Sequence, residues 1–338
     1  RKRRHILEMN YGKLPKCELH VHLEGAAPPD FIRQLANEKK INLTGLFDSK
    51  GDYFFKNFKD FLNVYDQACK VLNGPEEFYR LVVAALKSSA QHGVIYTEFF
   101  VSPDFCGGGD LVAWREYLAA MEAAASYCEA NMAVYCRFIL TPIRHLGADR
   151  ACVIADIAQK TIGGRLTGFG MGGDETFLTP KDFSYAFDMA REAGYRLTNH
   201  AGEIVGASSV LDSLKYLKVE RIGHGVRAIE DLDVVQRLVE ENITLEVNPG
   251  SNIFLGIYKD LKSHPIQRLR DLGVQVTVST DDPPFFKTDM TKEYSNLASA
   301  FNWKSETFFL LNTDAVKAAF CDDKTKETLN SILEREYV

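Results

Sequence analysis

Short apolar or β-branched runs recur along the chain and break at Gly, Pro, Asp or Asn, and the gaps between them carry apolar residues at helical spacing. The runs predict eight strands, over 17–23, 94–101, 133–141, 166–170, 196–200, 221–224, 243–247 and 274–279, each after the first preceded by helical sequence. Segments 181–193, 205–217, 231–241 and 265–272 repeat apolar positions as a helix buried on one face does. Eight strand-helix alternations predict a single (β/α)8 TIM barrel over 1–338, with its chemistry at the carboxyl ends of the strands. A doubly wound open sheet is the alternative, but no GxGxxG turn follows the first strand.

Residues 28–92 are too many for one crossover helix and predict a helical insertion between strands 1 and 2 that caps the C-terminal mouth. Within it Tyr53, Phe54, Phe55, Phe58, Phe61, Leu62 and Tyr65 repeat aromatics at a spacing that marks one helix face. Ordinary core packing is the plain reading of that face; Phe58 is the member expected to touch substrate. Residues 1–13, opening Arg1-Lys2-Arg3-Arg4, read as a solvated tail, and the sequence from Thr291 onward reads as helices closing the lower or outer side of the barrel.

Composition narrows the class of partner. With 338 residues, 46% of them hydrophobic, the chain can bury a large core, and a net charge of −6 offers no basic field for a phosphate backbone. A small-molecule substrate is expected and a nucleic acid is not. Seven scattered cysteines without a CxxC pair argue against a disulfide framework and for a reducing cytoplasm. No apolar run reaches membrane-spanning length, and no partner protein is indicated.

The chemistry begins at Glu18-Leu19-His20-Val21-His22-Leu23, where alternation along a strand puts both histidines on one face. Alone, such a pair is weak evidence for a metal site. Further metal-competent side chains end other predicted strands: His200 the fifth, His224 the sixth, Asp281 and Asp282 the eighth. Their convergence on one rim is what a catalytic metal centre requires. Three imidazoles and one carboxylate leave a position open for water, whose pKa falls from about 15.7 to about 7 on zinc. The fourth strand ends without a lysine that could bridge two metals, which favours one zinc ion per chain. His5, His92 and His264 fall in the tail or in helical sequence and read as structural or exposed.

These residues resemble the adenosine deaminase family of the amidohydrolase superfamily. The likeness runs from Leu14-Pro15-Lys16 through His20-Val21-His22-Leu23-Glu24-Gly25, Gly172-Gly173-Asp174-Glu175, His200-Ala201-Gly202-Glu203 and Gly223-His224-Gly225 to Thr280-Asp281-Asp282-Pro283. It implies His20, His22, His200 and Asp281 as zinc ligands, Glu203 as proton donor and His224 as the residue that orients or deprotonates the bound water. It also implies Gly173 as the backbone donor to purine N3 and Asp282 as the partner of N7. Attack at C6 of the ring requires an acid beside N1, and Glu203 can serve if it binds substrate protonated. Because N7 only accepts and an ionised carboxylate only accepts, either Asp282 or N7 must carry a proton.

Glu24 departs from the pattern, since adenosine deaminases carry Asp there to hold the ribose 5′-hydroxyl. Glu24 is similar instead to the related adenine deaminases, which have no ribose to hold. Phe100 likewise stands where an Arg is usual, although Ser102-Pro103 keeps the nucleoside-type sequence. Glu24-Gly25-Ala26-Ala27-Pro28-Pro29 and Asn248-Pro249-Gly250-Ser251-Asn252 resemble bacterial adenosine deaminases. The expected reaction is therefore hydrolysis of adenosine, and of 2′-deoxyadenosine, to inosine and ammonia, with adenine or an N6-substituted adenine as the alternative substrate.

Overall fold

A computed structural model describes residues 9–337. The basic start at residues 1–4, His5 and the rest of the first eight positions of the expected tail lie outside the described residues. Within positions 9–13 Asn10 and Lys13 are exposed, while Tyr11 meets Phe308 edge-on at 6.2 Å.

The described residues form eight parallel strands in sequential order: β1 (Lys16–His22), β2 (Val94–Val101), β3 (Tyr135–Leu140), β4 (Leu166–Phe169), β5 (Arg196–Ala201), β6 (Arg221–His224), β7 (Thr244–Val247) and β8 (Gln275–Val278). Helices surround them, giving the (β/α)8 TIM barrel that the alternation predicts. The seam between β8 and β1 is closed by the residues after β8. The Leu19 amide donates to Ser279 Oγ (3.0 Å), the Asp281 amide to the His20 carbonyl (3.2 Å), and the His22 amide to the Asp281 carbonyl (3.0 Å).

Three helices separate β1 from β2: α1 (Pro29–Lys39), α2 (Phe58–Cys69) and α3 (Pro75–Ala90). The α2 helix starts at Phe58 because the Asn57 side chain accepts from the Asp60 amide, so Tyr53, Phe54 and Phe55 precede the helix instead of lying on it. Aromatic contacts seat this region on the loop after β8. Tyr53 stacks on Phe285 at 4.0 Å, Tyr65 lies 5.0 Å from the same ring, and Phe61 lies 5.2 Å from Phe286. The helix expected over 205–217 is α-helical only at Ala207–Asp212 and widens to a π-helix at Ser213–Leu217. At that point the Ser213 hydroxyl donates back to the Ser209 carbonyl (2.8 Å) while accepting from Asn199 Nδ2 (2.9 Å).

Inside the barrel the fill is partly ionic. Arg221 is buried, donates through Nη2 to Glu98 and through Nε to Glu246 (2.7 Å each), and through Nη1 to the Ala318 carbonyl (3.0 Å). The Phe320 ring covers its guanidinium at 3.6 Å, so the C-terminal segment plugs the floor of the barrel. Among the described residues no helix is long and apolar enough to cross a membrane, and all seven cysteines are free thiols.

Removing one member of a buried ion network strands its partners. Arg221→Met is expected to cost about 3–5 kcal/mol in urea unfolding; a loss below about 1 kcal/mol would show that Glu98 and Glu246 do not depend on it.

Candidate active site

At the carboxyl ends of the strands five side chains meet. Alternation in β1 turns His20 and His22 inward while Cys17 and Leu19 pack outward with Ala315, Val316, Leu329 and Leu333. His200 comes from β5, His224 from β6, and Asp281 from the segment that closes the seam. Asp281 Oδ1 lies 3.4 Å from His20 Nε2 and 3.2 Å from His22 Nε2, and the Nε2 atoms of His22 and His200 are 3.3 Å apart. Donors held about 2.0–2.1 Å from one ion at tetrahedral angles stand about 3.3–3.4 Å from each other, so these spacings suit a single small divalent cation. His20 Nε2 and Asp281 Oδ1 are also buried without a hydrogen-bond partner, a costly state that a cation relieves.

The atoms behind the imidazoles aim them. His20 Nδ1 donates to Glu246 Oε1 (2.8 Å) and His200 Nδ1 to the Met171 carbonyl (2.7 Å), which leaves each Nε2 free to ligate. Burial would raise the Glu246 carboxyl, but the charge of Arg221 and the hydrogen bond from His20 hold it down at about 2. Burial, followed by the neighbouring His20 and His22, keeps His200 well below the usual imidazole range and hence neutral. Asp281 Oδ2 accepts from Ser251 Oγ (2.9 Å). The ring of Phe100 lies 4.6, 4.9 and 5.0 Å from the rings of His20, His22 and His200, an apolar wall at the position where the family pattern has Arg.

His224 differs from the other imidazoles because its Nε2 already faces Glu203 Oε2, at 2.5 Å, with Asp281 Oδ2 at 3.7 Å. Two residues of the centre, His224 (φ +63°) and Asp281 (φ +67°), adopt left-handed backbone. Such strain is unusual away from glycine and concentrates at functional sites.

The remaining predicted residues are placed as follows. Asp282 is buried, and burial together with the adjacent Asp281 carboxylate raises its pKa. Only glycine fits beside it, since a Cβ on Gly25 would fall 1.7 Å from Asp282 Oδ1. Gly173 takes φ +105° in the loop after β4, next to Gly172, whose α-carbon faces the rings of His22 and His200. Glu24 is buried with Oε1 unpartnered, and burial raises its pKa. It lines a pocket of about 340 Å³ with Tyr65, Asp66, Cys69 and Phe105. Phe58 is not brought into the centre: 58% exposed, it sits at the outer edge of α2 with Phe55, Phe61 and Phe254.

Some supporting residues were not singled out from the sequence. Glu175 is the largest omission. Its carboxylate accepts from the amides of Gly202, Glu203, Ile204 and Val205 and from Ser209 Oγ, at 2.7–3.2 Å, and so ties down the loop that presents Glu203. Its motif was visible, but nothing local to 172–175 announces donors some thirty positions later. His264, expected to be structural or exposed, is buried and bonded to Asn252.

The chain matches the family described as Adenosine deaminase over residues 15–336. An adenine deaminase of Rhizobium rhizogenes is 41% identical over 319 residues, covering 94% of this chain and 98% of that protein. One from Agrobacterium fabrum is 40% identical over 318 residues, covering 94% and 97%. The crystal structure of an adenine deaminase from Arthrobacter aurescens superposes with a TM-score of 0.86 at 29% identity, covering 95% of this chain and 98% of that one. These relatives overturn the expectation of adenosine as substrate. Within the stretches that suggested it, Gly25 lies against Asp282, Ser251 donates to Asp281, and the Asn252 amide faces His224.

Glu175→Gln is expected to destabilise the fold by about 1–3 kcal/mol, because an amide meets donors with a donor. It should also lower kcat by about 100-fold through displacement of Glu203, with bound metal unchanged; wild-type kcat would remove Glu175 from this role.

Proposed function

Because this chain belongs to the adenosine deaminase family and is a hydrolytic deaminase, we propose that it converts adenine, the free purine base, and water to hypoxanthine and ammonia. The observation that carries the substrate is the buried, unpartnered Oε1 of Glu24. Adenine has an N9–H that a nucleoside lacks, and a buried acceptor with no protein donor is matched to that hydrogen. The adenine deaminase names of the similar proteins support the same reading.

The donor set of three imidazoles and a carboxylate, His20, His22, His200 and Asp281, suits zinc. When bound, the ion supplies Lewis acidity that makes a water molecule nucleophilic near neutral pH. The chain's own groups orient the ring. Asp282, whose carboxyl is raised by burial and by the adjacent Asp281, donates to N7 in its protonated form, and the Gly173 amide donates to N3. Glu203 gives a proton to N1 as oxygen adds to C6, so that negative charge does not accumulate on the ring. Collapse of the tetrahedral carbon breaks the C6–N6 bond; of the two protons of the attacking water, one restores Glu203 and the other leaves with the amino group as ammonia.

Ultraviolet assays should find kcat/KM for adenine at least about 100-fold above that for adenosine; equal values would sink the free-base assignment. Glu24→Leu should lower kcat/KM for adenine by about 10- to 100-fold, mainly through KM. Glu203→Gln should keep one zinc per chain by elemental analysis yet lose at least about 100-fold in kcat. If Glu203→Gln turns over normally, the proton to N1 has another source.

A further inference from the structure

A chain of hydrogen bonds runs from an ordinary backbone amide to the candidate centre, and each link leaves the next no choice of proton. The Ile266 amide donates to His264 Nδ1 at 3.0 Å. A backbone N–H is always a donor, so Nδ1 of His264 must accept, and the neutral ring carries its hydrogen on Nε2. That Nε2 donates to Asn252 Oδ1 at 2.9 Å. The orientation of the Asn252 amide follows: with its oxygen committed, its Nδ2 faces His224 Nδ1 at 3.2 Å. A second amide agrees with the first. Asn248 Nδ2 donates to the Glu246 carbonyl at 3.2 Å and stands 3.4 Å from the same His224 Nδ1. Two N–H groups aimed at one ring nitrogen require that nitrogen to be unprotonated, so neutral His224 bears its hydrogen on Nε2, where Glu203 Oε2 lies 2.5 Å away.

We propose that His264 and Asn252 are positioning residues that lock His224 in its Nε2–H tautomer, so that His224 faces the reacting atoms as a hydrogen-bond donor and not as a base. The inference rests on the deaminase reading for its consequence, since the family pattern leaves His224 either to orient or to deprotonate the attacking water. A neutral imidazole protonated at Nε2 has no lone pair there to accept a proton. Burial supports the lock at its far end by holding the His264 pKa down at about 3, so that this ring stays neutral and its Nδ1 remains an acceptor. His264 reaches His224 through the Asn252 amide.

Long-range proton–nitrogen correlation on the ¹⁵N-histidine-labelled protein reads the tautomer without reference to activity or substrate. It is recorded with zinc bound and again after chelation, with His224 and His264 assigned by their loss in His224→Gln and His264→Gln. Both rings should show a protonated Nε2 and a bare Nδ1; an Nδ1–H on His224 in the wild-type protein overturns the proposal without any variant. Asn252→Asp keeps the shape but replaces the donor with an acceptor, and should move the His224 hydrogen to Nδ1 and lower kcat by about 100-fold or more with KM within about threefold. His264→Gln frees the Asn252 amide to turn and should give His224 a mixture of tautomers. An unchanged tautomer in both variants, with kcat near wild type, overturns the role of His264 and Asn252. A failure of the adenine assignment alone would leave the tautomer spectrum as expected, so the two readings fail separately.

Discussion

The arrangement depends on one carboxylate, Glu246, shared between a buried guanidinium and a buried imidazole. It accepts from Arg221 on one oxygen and from His20 Nδ1 on the other, with Thr198 Oγ1 as a third donor. A carboxylate inside a barrel is tolerable only if every lone pair is satisfied and a positive charge is near. Arg221 meets that condition, and Phe320 with the Ala318 carbonyl in turn satisfies Arg221 from the floor. The orientation of His20 at the mouth is thereby connected through Glu246 and Arg221 to the C-terminal plug.

Barrel closure and the chemistry use the same short segment. β8 ends at Val278, and the residues that follow pair with β1 while delivering Asp281 to the histidines of that strand. Glu18 reinforces the bend from below, accepting from the amide and hydroxyl of Thr280 (3.1 and 2.6 Å). Because the backbone of Asp281 is hydrogen-bonded on both sides to β1, its left-handed conformation is over-determined by the sheet and persists despite its cost. Rigidity of this kind holds the four candidate ligand atoms a few ångströms apart without collapse onto one another.

Two kinds of residue surround the centre, and they differ in how visible they are along the chain. His20 and His22 announce themselves through strand alternation; His200, His224 and Asp281 do so by ending short apolar runs. Glu175, Asn252 and His264 carry no such mark, since each acts on a residue it meets only after folding: Glu175 on the loop 202–205, His264 on Asn252, Asn252 on His224. Phe58 belongs to neither kind. It shared the aromatic spacing of Phe61 and Tyr65, but the helix begins at that very residue and turns its ring to solvent.

Taken by itself, the amino-acid order determined the eight-fold alternation, the barrel it closes into and the donors at its rim, because strand and helix periods are local properties that apolar spacing records directly. Only the folded chain decided which donors are orphaned and which are satisfied: His20 Nε2 left bare by the bond at Nδ1, Glu24 Oε1 buried without a partner, His224 Nδ1 capped by two amides. The proposed choice of a base over a nucleoside, and of a donor over an acceptor, rests on those distinctions. They arise from contacts between residues far apart in the chain, where hydrogen-bond capacity is spent or left over according to packing that no local pattern encodes.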